Sequence, residues 1–215
     1  MAINYTKGKL TLFREILLGR LGLQNDFVGY EMLFEYIEKN NIQNLNGDFL
    51  EIGAFMGGGT KKLARFANKF GKKVFVIDIF DPDFDPTPND RGEPMDWIYR
   101  KILGPKNLRE VFDANTKDET NIVVYSEDSK KVNPPDDLTL CFTFIDGNHN
   151  PEYVKNDFCL AWDKTISGGV VAYHDYGGDL SQTTQAIKEM IEKNRESISK
   201  TFLVPEKKTI FITKK

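Results

Sequence analysis

The chain has 215 residues, of which 40% are hydrophobic and 28% are charged, and its formal net charge is −3. These values are typical of a globular protein of one α/β domain with a small appendage, whereas a nucleic-acid-binding protein usually carries a basic surface. No apolar run reaches 18 residues and no secretion signal opens the sequence, so we expect a cytoplasmic protein with no membrane partner.

Hydrophobic periodicity predicts helices that alternate with strands along the chain. Residues 9–39 indicate two or three short helices separated by glycines. The remaining pattern predicts strands near 48–52, 73–78, 121–125, 138–145, 170–173, 201–204 and 209–212, and helices near 58–70, 151–164 and 182–195. This alternation indicates an α/β fold with a doubly wound, mostly parallel seven-stranded sheet, N-terminal helices and an antiparallel C-terminal hairpin.

Cys141 falls in an apolar strand and Cys159 in a helix, and we expect both to be buried.

One segment, residues 81–96, departs from this alternation. It contains four of the nine prolines and six acidic residues, a composition that excludes a helix or a central strand. Two interpretations remain open: a disordered surface insertion, or a lid over an acceptor substrate with a helical stretch at 95–103 as its base. We expect a single domain over 1–215, with an N-terminal helical segment (1–46) and a lid-like insertion (81–120).

The first strand runs into a glycine-rich loop. Glu51 lies at the end of the strand, residues 53–60 contain four glycines, and Asp78 ends the second strand 27 residues after Glu51. Glycines let the backbone approach a ligand closely, and the second acid is placed to accept hydrogen bonds from a ribose, so the pattern predicts a nucleoside-binding βαβ unit. The dinucleotide motif Gly-x-Gly-x-x-Gly and the lysine of a Walker A loop are both absent. For the glycines alone, an ordinary tight β–α turn is an equal alternative.

Glu51-x-Gly53 at the start of a glycine-rich loop, with Asp78 at the end of the next strand, resembles the class I S-adenosylmethionine-dependent methyltransferases. The resemblance implies that Asp78 binds the ribose and that Asp128 or Ser129, after the third strand, contacts the adenine. A helix N-cap is the alternative role for Asp128 and Ser129. The full set of cofactor-binding residues that we expect is Glu51, Gly53, Ala54, Phe55, Gly57, Gly58, Thr60, Asp78, Asp128, Ser129 and Asp146.

The only two histidines each lie near an aspartate at the end of a predicted strand. Strand four runs into Asp146 and His149, and strand five runs into His174 and Asp175. These strand ends are neighbours in the predicted fold, and two carboxylates that lie close together repel each other unless a proton or a cation intervenes. A hard divalent cation with oxygen ligands, Mg²⁺ above all, would remove the repulsion.

This pattern is similar to metal-dependent small-molecule O-methyltransferases of the macrocin and catechol types, and to cephalosporin-hydroxylase-related proteins, over roughly residues 45–180. The resemblance implies Asp146 and Asp175 as metal ligands. It also implies His174 as a ligand, although several relatives have an acid there. His149 stands where the catechol type has a lysine base, so we expect it to remove the proton of a metal-bound hydroxyl. Taken singly, the aspartates could cap helices, His149 could be a surface residue and His174 a core imidazole.

The expected function is transfer of a methyl group from S-adenosylmethionine to a hydroxyl of a small-molecule acceptor, assisted by Mg²⁺. The alternatives are a nicotinamide-dependent oxidoreductase on the same type of sheet and a non-catalytic S-adenosylmethionine-binding protein. A metal-dependent hydrolase offers no role for Glu51 and Asp78. Nucleic acid is not an expected partner, and a homo-oligomer is left open.

Overall fold

A sheet of seven strands forms the centre of residues 13–215, the part of the chain that the computed structural model describes. Its strand order is β3-β2-β1-β4-β5-β7-β6, with β7 antiparallel to both of its neighbours and the remaining pairs parallel. The strands are β1 Asp48–Ile52, β2 Val74–Ile77, β3 Ile122–Tyr125, β4 Leu140–Ile145, β5 Thr165–Tyr173, β6 Ile198–Val204 and β7 Thr209–Lys214. The predicted mostly parallel sheet with an antiparallel C-terminal hairpin is confirmed.

One helix precedes β1, and the others lie between successive strands. They are α1 Glu31–Lys39, α2 Gly58–Asn68, α3 Met95–Leu103, α4 Leu108–Thr116, α5 Pro151–Lys164 and α6 Ser181–Lys193, and residues 13–20 are also helical. Helix α5 begins where predicted because Asn150 caps it through the Glu152 amide and Pro151 occupies the first turn. Within residues 13–215, no helix combines the length and the apolar character that crossing a membrane requires.

The core lies on both faces of the sheet, as a doubly wound fold requires. Side chains that alternate along the strands pack toward opposite sides, and Phe49, Phe142 and Phe144 belong to one buried cluster while Leu50 and Ile145 belong to the other. All six residues of β4 are buried. Because the central strands are parallel, their carboxyl ends meet at one edge of the sheet, and the loops that follow β1, β2, β3, β4 and β5 open there.

Two local features of the structure differ from the expectation. Strand β5 begins at Thr165, earlier than the predicted strand at 170–173, and includes Gly168 and Gly169, where its pairing with β4 shifts register. Cys141 is buried as expected, but Cys159 is exposed. The buried residues of α5 form a stripe through Val154, Phe158 and Ala161, and Cys159 lies outside that stripe. Of the predicted N-terminal helices, residues 9–12 lie outside the described residues.

Candidate active site

The glycine loop after β1 is organised by the carboxylate of Asp78. Oδ2 of Asp78 accepts hydrogen bonds from the backbone amides of Ala54 at 2.7 Å and Phe55 at 2.9 Å, and Oδ1 accepts one from Phe80 at 2.6 Å. Burial raises the pKa of Asp78 above its ordinary value, and the three amide hydrogen bonds oppose that rise without cancelling it. The acid at the end of β2 therefore holds the loop in shape and also borders the cavity described below.

Glu51 lies beneath this loop and is fully buried. The hydroxyl of Tyr30 donates to its Oε1 at 2.6 Å, and Thr60 Oγ1 donates to its Oε2. Burial raises the pKa of Glu51 to about 7, hydrogen bonds from Thr60 and Tyr30 lower it, and the charges of Asp78 and Asp146 raise it further. Glu51 and Thr60 thus bind each other and are not among the residues that border the cavity.

Two of the loop glycines are required by close packing. A Cβ at Gly53, where φ is +87°, would lie 2.1 Å from the carbonyl oxygen of Asp146. A Cβ at Gly59 would lie 2.2 Å from the ring of Tyr30. Both distances are impossible for real atoms, so the glycines let β1, the turn after β4 and the N-terminal segment converge. The sequence correctly indicated a close approach, although here the approaching group is protein backbone or a tyrosine ring.

One cavity opens at the carboxyl ends of the strands and collects most of the predicted cofactor residues. The cavity-lining residues that were predicted are Gly53, Ala54, Phe55, Asp78, Asp128, Ser129 and Asp146. The predicted residues Glu51, Gly57, Gly58 and Thr60 do not line it; they lie below the loop or at the start of α2. Two non-glycine residues beside this cavity, Phe55 and Phe80, have positive φ values of 46° and 54°. Such backbone strain concentrates at functional sites.

Several residues that line the same cavity were not predicted from the sequence. They are Tyr30 from the segment before α1, Tyr99 from α3, Phe84 and Asp85 from the proline-rich segment (residues 81–96), and Tyr153 and Asp157 from α5. None belongs to the glycine-loop motif, and each reaches the cavity from an element that is distant in sequence. Only Asp157 gives a local signal. It places a carboxyl group on a helix face that is otherwise apolar, and this could have indicated a role.

The predicted acids and histidines at the ends of β4 and β5 come together as expected. Ligand atoms of Asp146, His149 and Asp175 all lie within 4.8 Å of one another. Nδ1 of His174 lies 3.0 Å from Oδ1 of Asp146 and 3.1 Å from Oδ2 of Asp175. Asp175 itself has a positive φ of 58°, which turns the chain sharply after β5 and directs its carboxylate toward both imidazoles.

The surroundings of His149 do not fit the predicted general base. The ring is buried, its Nδ1 lies 2.6 Å from Oδ2 of Asp85 and its Nε2 lies 2.8 Å from Oδ2 of Asp175. Burial alone would lower the pKa of His149, but the hydrogen bonds and charges of the two aspartates outweigh it and raise the pKa to about 10. An imidazole with both nitrogens held by carboxylates has no lone pair available for a substrate proton. We therefore revise the role of His149 from a base to a bridge between two acids.

The donor atoms of Asp146, Asp175 and His174 are of a kind that binds a divalent cation. Nδ1 of His174 is buried and has no hydrogen-bond partner among the described residues, although carboxylate oxygens of Asp146 and Asp175 lie near it at angles outside hydrogen-bond geometry. Burial would lower the pKa of His174, but the charges of Asp146 and Asp175 outweigh it and raise that pKa well above its ordinary value, so this nitrogen would become a third ligand only when a cation displaces its proton. Two oxygens and one nitrogen suit Mn²⁺ and similar transition metals at least as well as Mg²⁺, which prefers oxygen alone.

The proline-rich segment is packed against this cluster. The side chains of Asp85, Thr87 and Asn89 are buried. Asp85 contacts His149, Nδ2 of Asn148 donates to the carbonyl of Phe84 at 2.9 Å, and the amide of Asp90 donates to the carbonyl of Asp179 at 2.6 Å. These contacts do not fit the disordered insertion that the sequence left open. Movement of the segment as a lid stays a prediction.

Comparison with known proteins gives the family. Residues 50–176 match a family model described as a methyltransferase domain. This range spans the glycine loop, Asp78 and both strand ends with their histidines. Among curated protein sequences, none matches the chain significantly.

Solved structures of methyltransferases share the fold at low sequence identity. The O-methyltransferase NovP superposes with a TM-score of 0.70 at 17% identity, over 93% of this chain and 88% of NovP. The calicheamicin methyltransferase CalS11 gives a TM-score of 0.64 at 14% identity, covering 96% of this chain and 92% of CalS11. TomG, an O-methyltransferase from Streptomyces achromogenes solved with S-adenosylmethionine, gives 0.58 at 14% identity, covering 95% of this chain and 90% of TomG.

Proposed function

Because the chain belongs to this family of methyltransferase domains, as its resemblance to the class I S-adenosylmethionine-dependent enzymes indicated, we propose that it methylates a hydroxyl group of a small-molecule acceptor. One observation carries the proposal: a single cavity joins the glycine loop, Asp78, the Asp128–Ser129 turn and Asp146. This is the edge of the sheet at which α/β folds bind their ligands. The neighbours whose printed names describe O-methyltransferases support oxygen as the acceptor atom.

The cofactor would lie along the carboxyl ends of β1 and β2. Oδ1 of Asp78 accepts one amide hydrogen bond and retains acceptor capacity for a ribose hydroxyl. The turn at Asp128 and Ser129 also borders the cavity and would receive the adenine. The methionine moiety would then extend past Gly53 toward Asp146, which would bring the sulfonium methyl to the cluster at the ends of β4 and β5.

The acceptor would bind between Asp146 and the proline-rich segment. Asp146 borders the cavity directly, so with no cation bound its carboxylate would accept a hydrogen bond from the acceptor hydroxyl and take its proton as the oxygen attacks the methyl carbon. The carbon–sulfur bond breaks in the same step and S-adenosylhomocysteine leaves. Most of the acceleration would come from holding the two reactants in line. Tyr99 and Phe84 supply the walls that would exclude water.

The chain's own residues also suit the metal assistance expected from sequence. Asp146, Asp175 and His174 would hold a divalent cation, which when bound would lower the pKa of the acceptor hydroxyl. His149 would act differently: by bridging Asp85 and Asp175 it fixes the proline-rich segment and orients the Asp175 carboxylate. Its role is that of a positioning residue.

Calorimetric titration with S-adenosylhomocysteine tests the cofactor site. Replacing Asp78 by alanine removes three amide hydrogen bonds and the ribose partner, so we expect affinity to fall at least 100-fold, as for a buried charged acceptor that is lost. Asp48→Ala is the matched control, because Asp48 also accepts a backbone amide hydrogen bond, from Lys73 at 2.8 Å, at the opposite end of the sheet. Equal affinity in a folded Asp78→Ala variant would overturn the assignment.

A further inference from the structure

The helix formed by residues 13–20 exposes apolar side chains to solvent. Half of the large hydrophobic residues that are exposed among residues 13–215 lie in its short stretch of chain: Phe13, Leu17, Leu21 and Leu23, which are 49% to 73% exposed. The amide of Leu21 donates to the carbonyl of Leu17 at 3.1 Å, which extends the last helical turn to Leu21. Side chains four residues apart lie on one face of a helix, so Phe13, Leu17 and Leu21 form an apolar stripe.

A second face of the 13–20 helix is packed against the protein. Ile16 contacts the buried cluster that contains Ile102 and Leu103 of α3. A Cβ at Gly19 would lie 2.6 Å from Cγ2 of Ile102, so the helix is pressed closely against α3. A surface helix normally has one apolar face, and a helix that is apolar on more than one side is normally covered on each of them. The apolar stripe therefore calls for a partner.

Positive charge flanks the apolar stripe. At 3.6 residues per turn, Arg14 and Arg20 fall on either side of it, and both are exposed. The one acid of the helix, Glu15, falls on the opposite side, where it is partly buried and has Lys208 as a charged neighbour. The outer surface of the helix is thus apolar and cationic, in a chain whose net charge is −3.

Helix α3 extends this surface. Nε of Arg20 donates to the carbonyl oxygen of Lys101 at 2.8 Å. Nζ of Lys101 lies 5.3 Å from the centroid of the Trp97 ring, and Trp97 is 45% exposed. Leucine, phenylalanine and tryptophan side chains bordered by lysine and arginine are typical of surfaces that lie in the interface of an anionic bilayer.

Charge favours lipid over a second copy of the chain as the partner. Two copies that met along the apolar stripe would bring together the Arg14 and Arg20 side chains of both, with Glu15 turned away, and like charges at an interface are unfavourable. Anionic headgroups would neutralise the same arginines, while the acyl region would take up the stripe.

We propose that the 13–20 helix attaches the protein to the surface of an anionic membrane, with the apolar stripe in the lipid and Arg14 and Arg20 at the headgroups. This departs from the expectation of no membrane partner, which rested on the lack of a spanning segment; a helix that lies in the interface needs only one apolar face. Helix α3 also supplies Tyr99 and Ile102 to the cavity, so the attachment would hold the cavity near the lipid.

Co-sedimentation of the full chain with lipid vesicles tests the attachment. Vesicles of phosphatidylcholine alone are compared with vesicles of phosphatidylcholine and phosphatidylglycerol in equal parts. Wild type should bind the anionic vesicles at least tenfold more tightly, because each arginine at the headgroups contributes about fivefold. Salt at about 1 M, where the Debye length is about 3 Å, should remove this preference.

Two variants separate the apolar and the cationic contributions. Leu17→Gln should weaken binding to anionic vesicles about fivefold, the effect of burying the exposed half of a leucine side chain. Leu203→Gln is the matched control, because Leu203 is 40% exposed on β6 and should not contact the lipid. Arg14→Gln should weaken binding to anionic vesicles about fivefold and leave binding to phosphatidylcholine unchanged. Because these side chains are exposed, each variant should keep the Tm of wild type.

The inference is overturned if wild type does not bind anionic vesicles, or if Leu17→Gln and Leu203→Gln bind them equally well. It is also overturned if ultracentrifugation without lipid shows a dimer that Leu17→Gln dissociates, since a second copy would then cover the apolar stripe. None of these results depends on methyl transfer, so the proposed function is tested separately.

Discussion

The buried carboxyl group of Glu51 makes a quantitative prediction about stability and pH. Its pKa rises from 4.5 to about 7 in the folded protein, so between these values the folded state binds a proton that the unfolded state releases. The contribution of Glu51 to the free energy of unfolding is fully present below pH 4.5, and it is lost as the pH rises through 7. At 1.36 kcal/mol for each pH unit, the loss amounts to about 3 kcal/mol.

Glu51→Gln should remove this dependence. The glutamine has no proton to release, and its oxygen and amide can still bond to the hydroxyls of Tyr30 and Thr60. The stability of wild type relative to Glu51→Gln should therefore fall by about 3 kcal/mol between pH 4.5 and 8. In a chain of this length, that is a relative shift of roughly 6–12 °C in Tm.

The assay is urea unfolding, followed by circular dichroism, at a series of pH values between 4.5 and 8. Glu38→Gln is the control, because Glu38 is exposed on α1 and the change should leave the pH dependence of wild type intact. Comparing variants at each pH cancels other titrating groups, among them Asp157. Parallel stability curves for wild type and Glu51→Gln would refute the account of a buried, protonated Glu51.

Two further predictions concern the cluster and the proline-rich segment. Adding Mn²⁺ should raise the Tm of wild type by mass action, and Asp146→Asn or Asp175→Asn should abolish the rise; a rise of equal size in both variants would place the cation elsewhere. In hydrogen exchange, the amides of Asn89, Met95 and Asp96 should be protected before any ligand is added, since each donates to a carbonyl of the same segment. Rapid exchange at these amides would mean that the segment opens freely.

The sheet was predictable because its signals are local. Buried strands such as β4 read as continuous apolar runs, and the start of α5 is marked by the Asn150–Pro151 pair. Hydrophobic periodicity likewise predicted where α5 ends and in which order the strands and helices follow one another. The start of β5 did not follow, because a glycine pair in a strand has the same local signal as a turn.

The site was predictable only in part because its polar contacts are long-range. The glycine loop and the strand-end acids lie on the cavity or beside it, as their positions after parallel strands require. The pairing of His149 with Asp85 joins residues 64 apart in the sequence, and it changes the histidine from a base to a bridge. Glu51 resembled a ligand residue but binds Tyr30, from a segment 21 residues earlier. No local pattern contains either partner.

The measurement that tests the central claim most directly is calorimetric titration of the full chain with S-adenosylhomocysteine and, separately, with NAD. The account predicts saturable binding of one S-adenosylhomocysteine per chain and no saturable heat with NAD. The cavity lacks the glycine motif that seats a pyrophosphate, while its glycine loop leads to Asp78 and to an adenine site. Saturable binding of NAD without binding of S-adenosylhomocysteine would contradict the assignment as a methyltransferase.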